Sequence, residues 1–210
     1  MRKTWLLFLL AGLLVSAPAF TQTRPDKIRP NGDAWTSLTD SERAVIENRV
    51  LTDTLKTELR GSRYRIFGTQ STGVKTELGL RRYAYTLIYD YTRNKTYNVV
   101  SDVTDRVPGK IVEVMKPSTM PPPSREEYEE ALALVRNLDR VKPLLDSPSV
   151  KLQESFPADS PAPCDVDRCV EIQVNNLQPE GKHTFLLLVT VNLSRQEVTE
   201  VREPSTATSR

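Results

Sequence analysis

Hydrophobic and polar residues alternate in two similar stretches of the chain. One is YNVVSDVTDRVPGKIVEV, which begins at Tyr97, and the other is LLVTVNLSRQEVTEV, which begins at Leu187. Each is an alternating apolar run, then a polar turn, then a short run that ends in Glu-Val. Such alternation is typical of antiparallel strands with one buried face, so the pattern predicts a small β-rich unit that occurs twice.

A helix with the same type of opening is predicted before each set of strands. Thr39 and Glu42 have the spacing of a capping box in SLTDSERAVIENRVL, and Ser124 and Glu127 repeat it in PPPSREEYEEALALVRNL. Apolar residues with helical spacing follow each opening. They are Val45, Ile46 and Val50 in the first segment, and Tyr128, Ala131, Leu132, Val135 and Leu138 in the second.

Four strands are predicted after each helix. The first set is the short run at Tyr64 and Ile66, then RRYAYTLIYDY, TYNVVSDV and IVEV; the second is SVKLQ, RCVEIQV, HTFLLLVTVNL and EVTEV. The capping boxes are 85 positions apart, the first strands 86, and the ends of the long strands 90. Agreement of element order, capping and turn placement indicates an internal duplication.

The predicted fold class is therefore α+β, with two tandem units that each pack one helix on an antiparallel β-meander. The predicted divisions are a signal peptide at 1–19, an extended lead-in at 20–36, a first unit at 37–116, a Pro-rich linker at 117–123, a second unit at 124–203 and a disordered tail at 204–210.

The start of the chain predicts export to the periplasm or secretion. Arg2 and Lys3 precede an apolar run of signal-peptide length, WLLFLLAGLLV, and Ala17-Pro18-Ala19 offers small residues for cleavage. An uncleaved anchor is the alternative, but the run is short for a membrane span. Without Arg2 and Lys3, the 29 basic residues fall to 27 and equal the 27 acidic residues. A net charge near zero argues against nucleic acid as a partner, and no later stretch predicts stable membrane insertion.

The two cysteines, Cys164 and Cys169, lie close together in CDVDRC. In an oxidising compartment this spacing favours a disulfide. Free thiols are the next alternative, and a metal site is the least favoured because two thiols are too few ligands and no histidine is nearby in sequence.

The succession of a capped helix and a strand set, repeated once, resembles the tandem small N-terminal domains of copper amine oxidases. The matching residues are Leu38, Thr39 and Glu42 in the first unit, and Glu126, Glu127, Ala131, Leu134 and Val135 in the second. The resemblance covers about residues 35 to 203 and implies two cystatin-like units. It does not imply oxidase activity, because the copper site of that family needs three histidines and this sequence has only His183.

The most distinctive candidate site is a row of tyrosines in RRYAYTLIYDY. Tyr83, Tyr85, Tyr89 and Tyr91 share one strand face and could form a ligand platform, since aromatic rings stack on flat ligands. The favoured alternative is that these rings pack under the helix as core. If Ala84, Thr86 and Ile88 face the helix instead, the tyrosines are free for a ligand.

No catalytic motif accompanies these residues. His183 lies between a turn and a strand without a nucleophile signature, and the aspartates of SDVTD and CDVD do not complete a calcium loop. Asn94-Lys95-Thr96 and Asn192-Leu193-Ser194 fit the glycan acceptor pattern. We therefore predict a non-enzymatic binding protein with no catalytic residue, metal or cofactor, whose partner is a protein or an extracellular polymer. The alternatives are a small secreted enzyme accessory and a structural envelope protein.

Overall fold

The computed structural model describes residues 36–105, 107–155, 163–178 and 181–203, which form two four-stranded antiparallel sheets and a few helices. The fold is therefore mixed α+β, as the sequence predicts. The predicted signal peptide, most of the lead-in and the tail lie outside the described residues. The boundaries of the two predicted units stay a prediction.

Each sheet follows the order of its strands in the chain. The first sheet contains β1 (Tyr64–Thr76), β2 (Gly79–Asp90), β3 (Lys95–Asp102) and β4 (Lys110–Met115). The second contains β5 (Val150–Ser155), β6 (Cys169–Leu177), β7 (His183–Asn192) and β8 (Glu197–Arg202). Strands that follow each other in sequence are neighbours in both sheets.

Two longer helices begin at the predicted capping boxes. Helix α1 (Asp40–Arg49) starts after Thr39 and continues into a π-helical turn (Val50–Thr54), and α2 (Arg125–Arg136) starts after Ser124. In both, the cap hydroxyl accepts a hydrogen bond from the N3 amide, and the N3 glutamate accepts one from the cap amide. Both caps are therefore confirmed. A short helix, α3 (Lys142–Leu145), precedes β5.

Three details differ from the sequence prediction. Val45 is 42% exposed, so it does not belong to the buried stripe, because Ile46 and Val50 already define a face a quarter turn away. Leu138 lies beyond the end of α2, where Asn137 donates its side-chain amide to the Ala133 carbonyl. Strand β1 is longer than predicted, because it continues through GTQSTGVKT. That segment is polar and rich in Thr and Gly, so no apolar alternation marks it as a strand.

The buried apolar residues form two clusters. One joins α1 to the first sheet through Ile46, Val50, Ala84 and Ile88 among others. The other joins α2 to the second sheet, where α2 contacts β6, β7 and β8. The second cluster also includes Tyr89 of β2 and Tyr91, which directly follows β2, so the first sheet contacts this cluster at the end of β2.

Candidate binding surface and the joint between the sheets

The alternation of side-chain direction along β2 determines which side chains face α1 and which face the opposite side of the sheet. Ala84, Thr86 and Ile88 are completely buried, and Ala84 and Ile88 pack in the same cluster as Ile46 of α1. Tyr83 and Tyr85 therefore point to the other side of the sheet, where they are half-buried. The favoured alternative, in which these two rings pack under the helix, is wrong.

Cross-strand pairing shows which side chains surround the two rings. Tyr83 lies opposite Thr72 of β1 and Asp102 of β3, and Tyr85 lies opposite Gln70 and Val100. Directly opposite residues of an antiparallel pair share a face. We name this face the outer face of the first sheet, formed by Gln70, Thr72, Tyr83, Tyr85, Leu87, Asn98, Val100 and Asp102.

The charges at one end of the outer face compensate each other. Arg81 Nη1 donates to Asp102 Oδ2 at 3.0 Å, and Thr104 donates to the other oxygen of the same carboxylate. Burial opposes the ionisation of Asp102, but the hydrogen bonds from Thr104 and the nearby Arg81 guanidinium together lower its pKa. The outer face therefore combines two aromatic rings with amides, a hydroxyl and a compensated ion pair.

The other two tyrosines of the predicted platform are not available to a ligand. Tyr89 is 0% and Tyr91 2% exposed, and the two rings contact each other edge to face with centroids 5.1 Å apart. Both belong to the hydrophobic cluster of the second sheet. The prediction of a four-ring platform is thus wrong for Tyr89 and Tyr91, because the chain that leads to α2 and the second sheet cover this end of β2.

The centre of the contact between the sheets is a buried ion pair. Arg168 donates to both carboxylate oxygens of Glu127, at 2.9 and 2.7 Å, and Tyr91 donates its hydroxyl to Glu127 Oε1 at 2.7 Å. The Arg168 guanidinium also lies 5.2 Å from the Phe67 ring centroid and 5.3 Å from that of Tyr89. Two charged residues of the second unit are therefore enclosed by three aromatic residues of the first.

Burial keeps the two buried phenols protonated. Removal from water raises the pKa of Tyr89 to about 12. Burial, reinforced by the hydrogen bond to Glu127, also raises the pKa of Tyr91. Both hydroxyls therefore act as donors at neutral pH, which suits the Glu127 carboxylate that accepts from Tyr91.

Polar contacts surround this centre. Arg63 and Arg65 of the first unit each lie 3.2 Å from a different oxygen of Glu130 on α2. On another side, Asn94 donates its side-chain amide to Asp167 at 2.8 Å, and Ser194 donates to Asn94 Oδ1 at 2.6 Å. We name the buried centre and these surrounding contacts the joint.

Arg168 has a counterpart in the first unit at Arg82. Arg82 donates to both oxygens of Glu42, the N3 residue of α1, as Arg168 does to Glu127 of α2. Each guanidinium also donates to the carbonyl three residues before the helix cap, Thr36 for Arg82 and Pro121 for Arg168.

The backbone around the two arginines is repeated as well. The amide of Arg82 donates to Thr104 Oγ1, and that of Arg168 donates to Ser194 Oγ. Their carbonyls accept from the amides of Val103 and Leu193. We name each set a lock, since it fastens the start of a helix to the sheet. Sequence reasoning missed both locks, although Arg82 and Arg168 are 86 positions apart, the same offset as the first strands.

The predicted disulfide is confirmed. Cys164 and Cys169 are bonded, with their Cα atoms 5.5 Å apart. The ring encloses Asp167 and Arg168, which are 7% and 3% exposed, whereas Val166 in the same ring is 61% exposed. The disulfide therefore closes directly around two residues of the joint.

Both asparagines of the glycan acceptor pattern are engaged inside the protein. Asn94 and Asn192 each donate their side-chain amide to Asp167, at 2.8 Å, and Asn192 is completely buried. A glycan on either amide nitrogen would displace the hydrogen bond to Asp167. These hydrogen bonds, with burial opposing them and Arg195 adding to them, lower the pKa of Asp167.

The remaining candidates do not converge on a site. His183 is exposed at the start of β7. In the described part of the chain, no group of three or more His, Cys, Asp or Glu residues is arranged to hold a metal ion. Across the same residues, no helix combines the length and apolar character that a membrane crossing requires.

The comparisons with known proteins concern this α+β fold. No protein-family model matches the chain, and no curated protein matches it in sequence. The fold is similar to that of the copper-containing benzylamine oxidase from Hansenula polymorpha, with a TM-score of 0.59 over 84% of this chain and 13% identity. The chain covers 30% of the oxidase chain. The resemblance to copper amine oxidases is thus confirmed as a likeness of fold, over less than a third of the oxidase.

Proposed function

We propose that the protein is an exported, non-enzymatic binding protein whose ligand contacts the outer face of the first sheet. The observation that carries the proposal is the direction of β2, which buries Ala84, Thr86 and Ile88 and leaves Tyr83 and Tyr85 half-buried on the opposite side. We further propose that each half is a cystatin-like unit, supported by the contacts of each capped helix with its own sheet.

The chemistry of the outer face favours an uncharged, extended polymer, and among those a polysaccharide. Tyr83 and Tyr85 are two residues apart on one strand, so their side chains are about 7 Å apart along it. Aromatic rings contact the flat C–H face of a sugar, and the side chains of Gln70, Thr72 and Asn98 can exchange hydrogen bonds with its hydroxyls. The pairing of Arg81 with Asp102 compensates the nearby charge, which disfavours a polyanion.

The test is retention of the full chain on insoluble cellulose and chitin, with the double variant Tyr83→Ala/Tyr85→Ala. Loss of two stacking contacts should weaken retention by about tenfold or more, while the melting temperature falls only slightly because both rings are half-exposed. Gln173→Ala is the matched control, since Gln173 is a half-buried residue of β6 in the second sheet. Equal retention of the double variant and the wild type would contradict the proposal.

A second candidate function is supported by one edge of the first sheet. β4 is the last strand of that sheet, and its Val112 is 56% exposed. An exposed edge strand can pair with a strand of another protein, which would suit a structural role. If the edge pairs with a second copy of this chain, the protein should sediment as a dimer and Val112→Lys should return it to a monomer. Monomeric behaviour of the wild type would count against this candidate.

A further inference from the structure

The two locks differ in how their arginine is held, and the difference involves the disulfide. Arg82 lies inside β2 and pairs with Gly73 of β1, so the first hairpin supports its backbone. Arg168 precedes β6, and the described part of β5 pairs with β6 only as far as Ser155 and Glu171. The disulfide closes one residue after Arg168, so among the described residues it constrains the backbone of the second lock where the first lock has the pairing of Arg82 with Gly73.

The disulfide ring also contains Asp167 and Arg168, the two residues of this loop whose contacts with the first unit are described above. Arg168 binds Glu127 and lies over Phe67 and Tyr89, while Asp167 accepts from Asn94 of the first unit and Asn192 of the second. An open loop would give the backbone of residues 165–168 more freedom. The cost of keeping both side chains in place would rise accordingly.

We propose that the Cys164–Cys169 disulfide is a site of reversible thiol–disulfide exchange that controls the joint, with a dithiol as the reducing partner. The proposal is independent of the proposed ligand. When the disulfide is closed, Asp167 and Arg168 are fixed and the two sheets are held together. When it is reduced, the second lock and the contact between Asp167 and Asn94 loosen together, and the first lock is unaffected.

The geometry indicates which sulfur is attacked. Cys164 is half-buried beside the exposed residues Asp165 and Val166, whereas Cys169 is only 8% exposed. A thiolate of the dithiol attacks Cys164 Sγ, and the bond to Cys169 breaks with release of its thiolate, which takes a proton from water. The second thiol of the dithiol then releases Cys164. The protein gains two electrons and two protons, and the dithiol leaves as a disulfide.

The experiment is hydrogen exchange of the full chain before and after treatment with dithiothreitol. Reduction should speed exchange in residues 163–169 and 193–195, and also in the turn at residues 92–95, whose Asn94 donates to Asp167 of the ring. From the chain entropy of a six-residue ring, the increase should reach up to about 40-fold. Exchange around Ile46 and Val99, in the cluster of the first unit, should stay unchanged, and reoxidation should restore the original pattern.

Two variants separate control of the joint from a general effect on stability. Cys164→Ser/Cys169→Ser should reproduce the reduced pattern and should not respond to dithiothreitol. Asp167→Asn, with the disulfide intact, should loosen the turn at residues 92–95 without the reductant. The proposal is overturned if reduction affects only residues 163–169, or if all of the second sheet loses protection equally. Either result can be read from the wild type alone if the double serine variant does not fold.

Discussion

The first and second locks use the same parts and have different consequences. In both, an arginine on or just before the second strand binds the capping glutamate of the helix and the carbonyl three residues before the cap. The pair Arg82–Glu42 serves only its own unit, and 19% of the Glu42 side chain is exposed. The pair Arg168–Glu127 is 3% and 0% exposed, because Tyr91, Tyr89 and Phe67 of the first unit enclose it. The same arginine–glutamate pair therefore stabilises a single unit in the first lock, whereas in the second lock it lies at the centre of the contact between the two units.

The two sheets also differ on the face that points away from the capped helix. The outer face of the first sheet carries tyrosines, whereas the corresponding side of the second carries side-chain amides that already have hydrogen-bond partners. Asn175 donates to Gln153, and Gln173 donates to Ser155. Polar groups that are already paired offer less to a ligand than half-exposed rings do. The comparison therefore supports the proposal that the ligand contacts the first sheet.

Removal of the arginine should produce the largest difference between the locks. Arg168→Leu leaves the buried Glu127 carboxylate without its partner and should lower the free energy of unfolding by about 3–5 kcal/mol. Arg82→Leu should cost about 2 kcal/mol, because the Glu42 side chain keeps access to water. Urea denaturation measures both. Arg140→Leu removes an exposed partner of Glu203 and should change stability by less than about 0.5 kcal/mol. Equal losses at positions 82 and 168 would show that the joint adds nothing to the second lock.

A smaller effect is expected from the phenol hydroxyls. Tyr91→Phe removes the donor to buried Glu127 and should cost about 1.5–2 kcal/mol in the same measurement. Tyr97 is the matched control, since its ring is also buried but its hydroxyl reaches the half-exposed Glu58 at 3.4 Å. Tyr97→Phe should cost less than about 0.5 kcal/mol, because this contact is long and reaches an accessible carboxylate. A larger loss at Tyr97 than at Tyr91 would contradict the account of the joint.

The smallest expected effect is on the acid side of the stability curve. Because the folded state lowers the pKa of Asp167 below its usual value of 3.8, the ionised carboxylate stabilises the fold above that pH. This contribution is lost as the pH falls below 3.8 through the lower folded pKa. Asp167→Asn should therefore be less stable than the wild type at pH 7 and should lose stability less steeply below pH 4. Urea midpoints from pH 7 to 2.5 measure the slope, with Asp165→Asn as the control for net charge.

Local signals in the sequence predict the two capped helices and the eight strands of this fold, although not the short helix α3 or the full length of β1. The capping boxes fix the starts of α1 and α2, and the spacing of Cys164 and Cys169 predicts their disulfide. These features depend on residues a few positions apart, which a sequence displays directly. The extension of β1 is missed because a Thr- and Gly-rich strand at a sheet edge has no apolar period.

The joint could not be predicted in the same way. Alternation in β2 shows that Tyr83, Tyr85, Tyr89 and Tyr91 share a face, but it does not show what covers that face. Tyr89 and Tyr91 are buried by residues that come after the linker in the sequence, such as Arg168. The sequence does contain one signal for the locks, because Arg82 and Arg168 are separated by the same number of residues as the first strands of the two units. A single arginine in or beside a strand, however, does not by itself indicate that the side chain is buried.

The most direct test of the central difference between the locks is hydrogen exchange of the Arg168→Leu and Arg82→Leu proteins, compared residue by residue. We expect Arg168→Leu to speed exchange in the second sheet and also at Tyr89 and Tyr91 in the first. Arg82→Leu should speed exchange only around α1 and the start of β2. Faster exchange confined to the mutated unit in both proteins would contradict the claim that the second lock joins the two sheets.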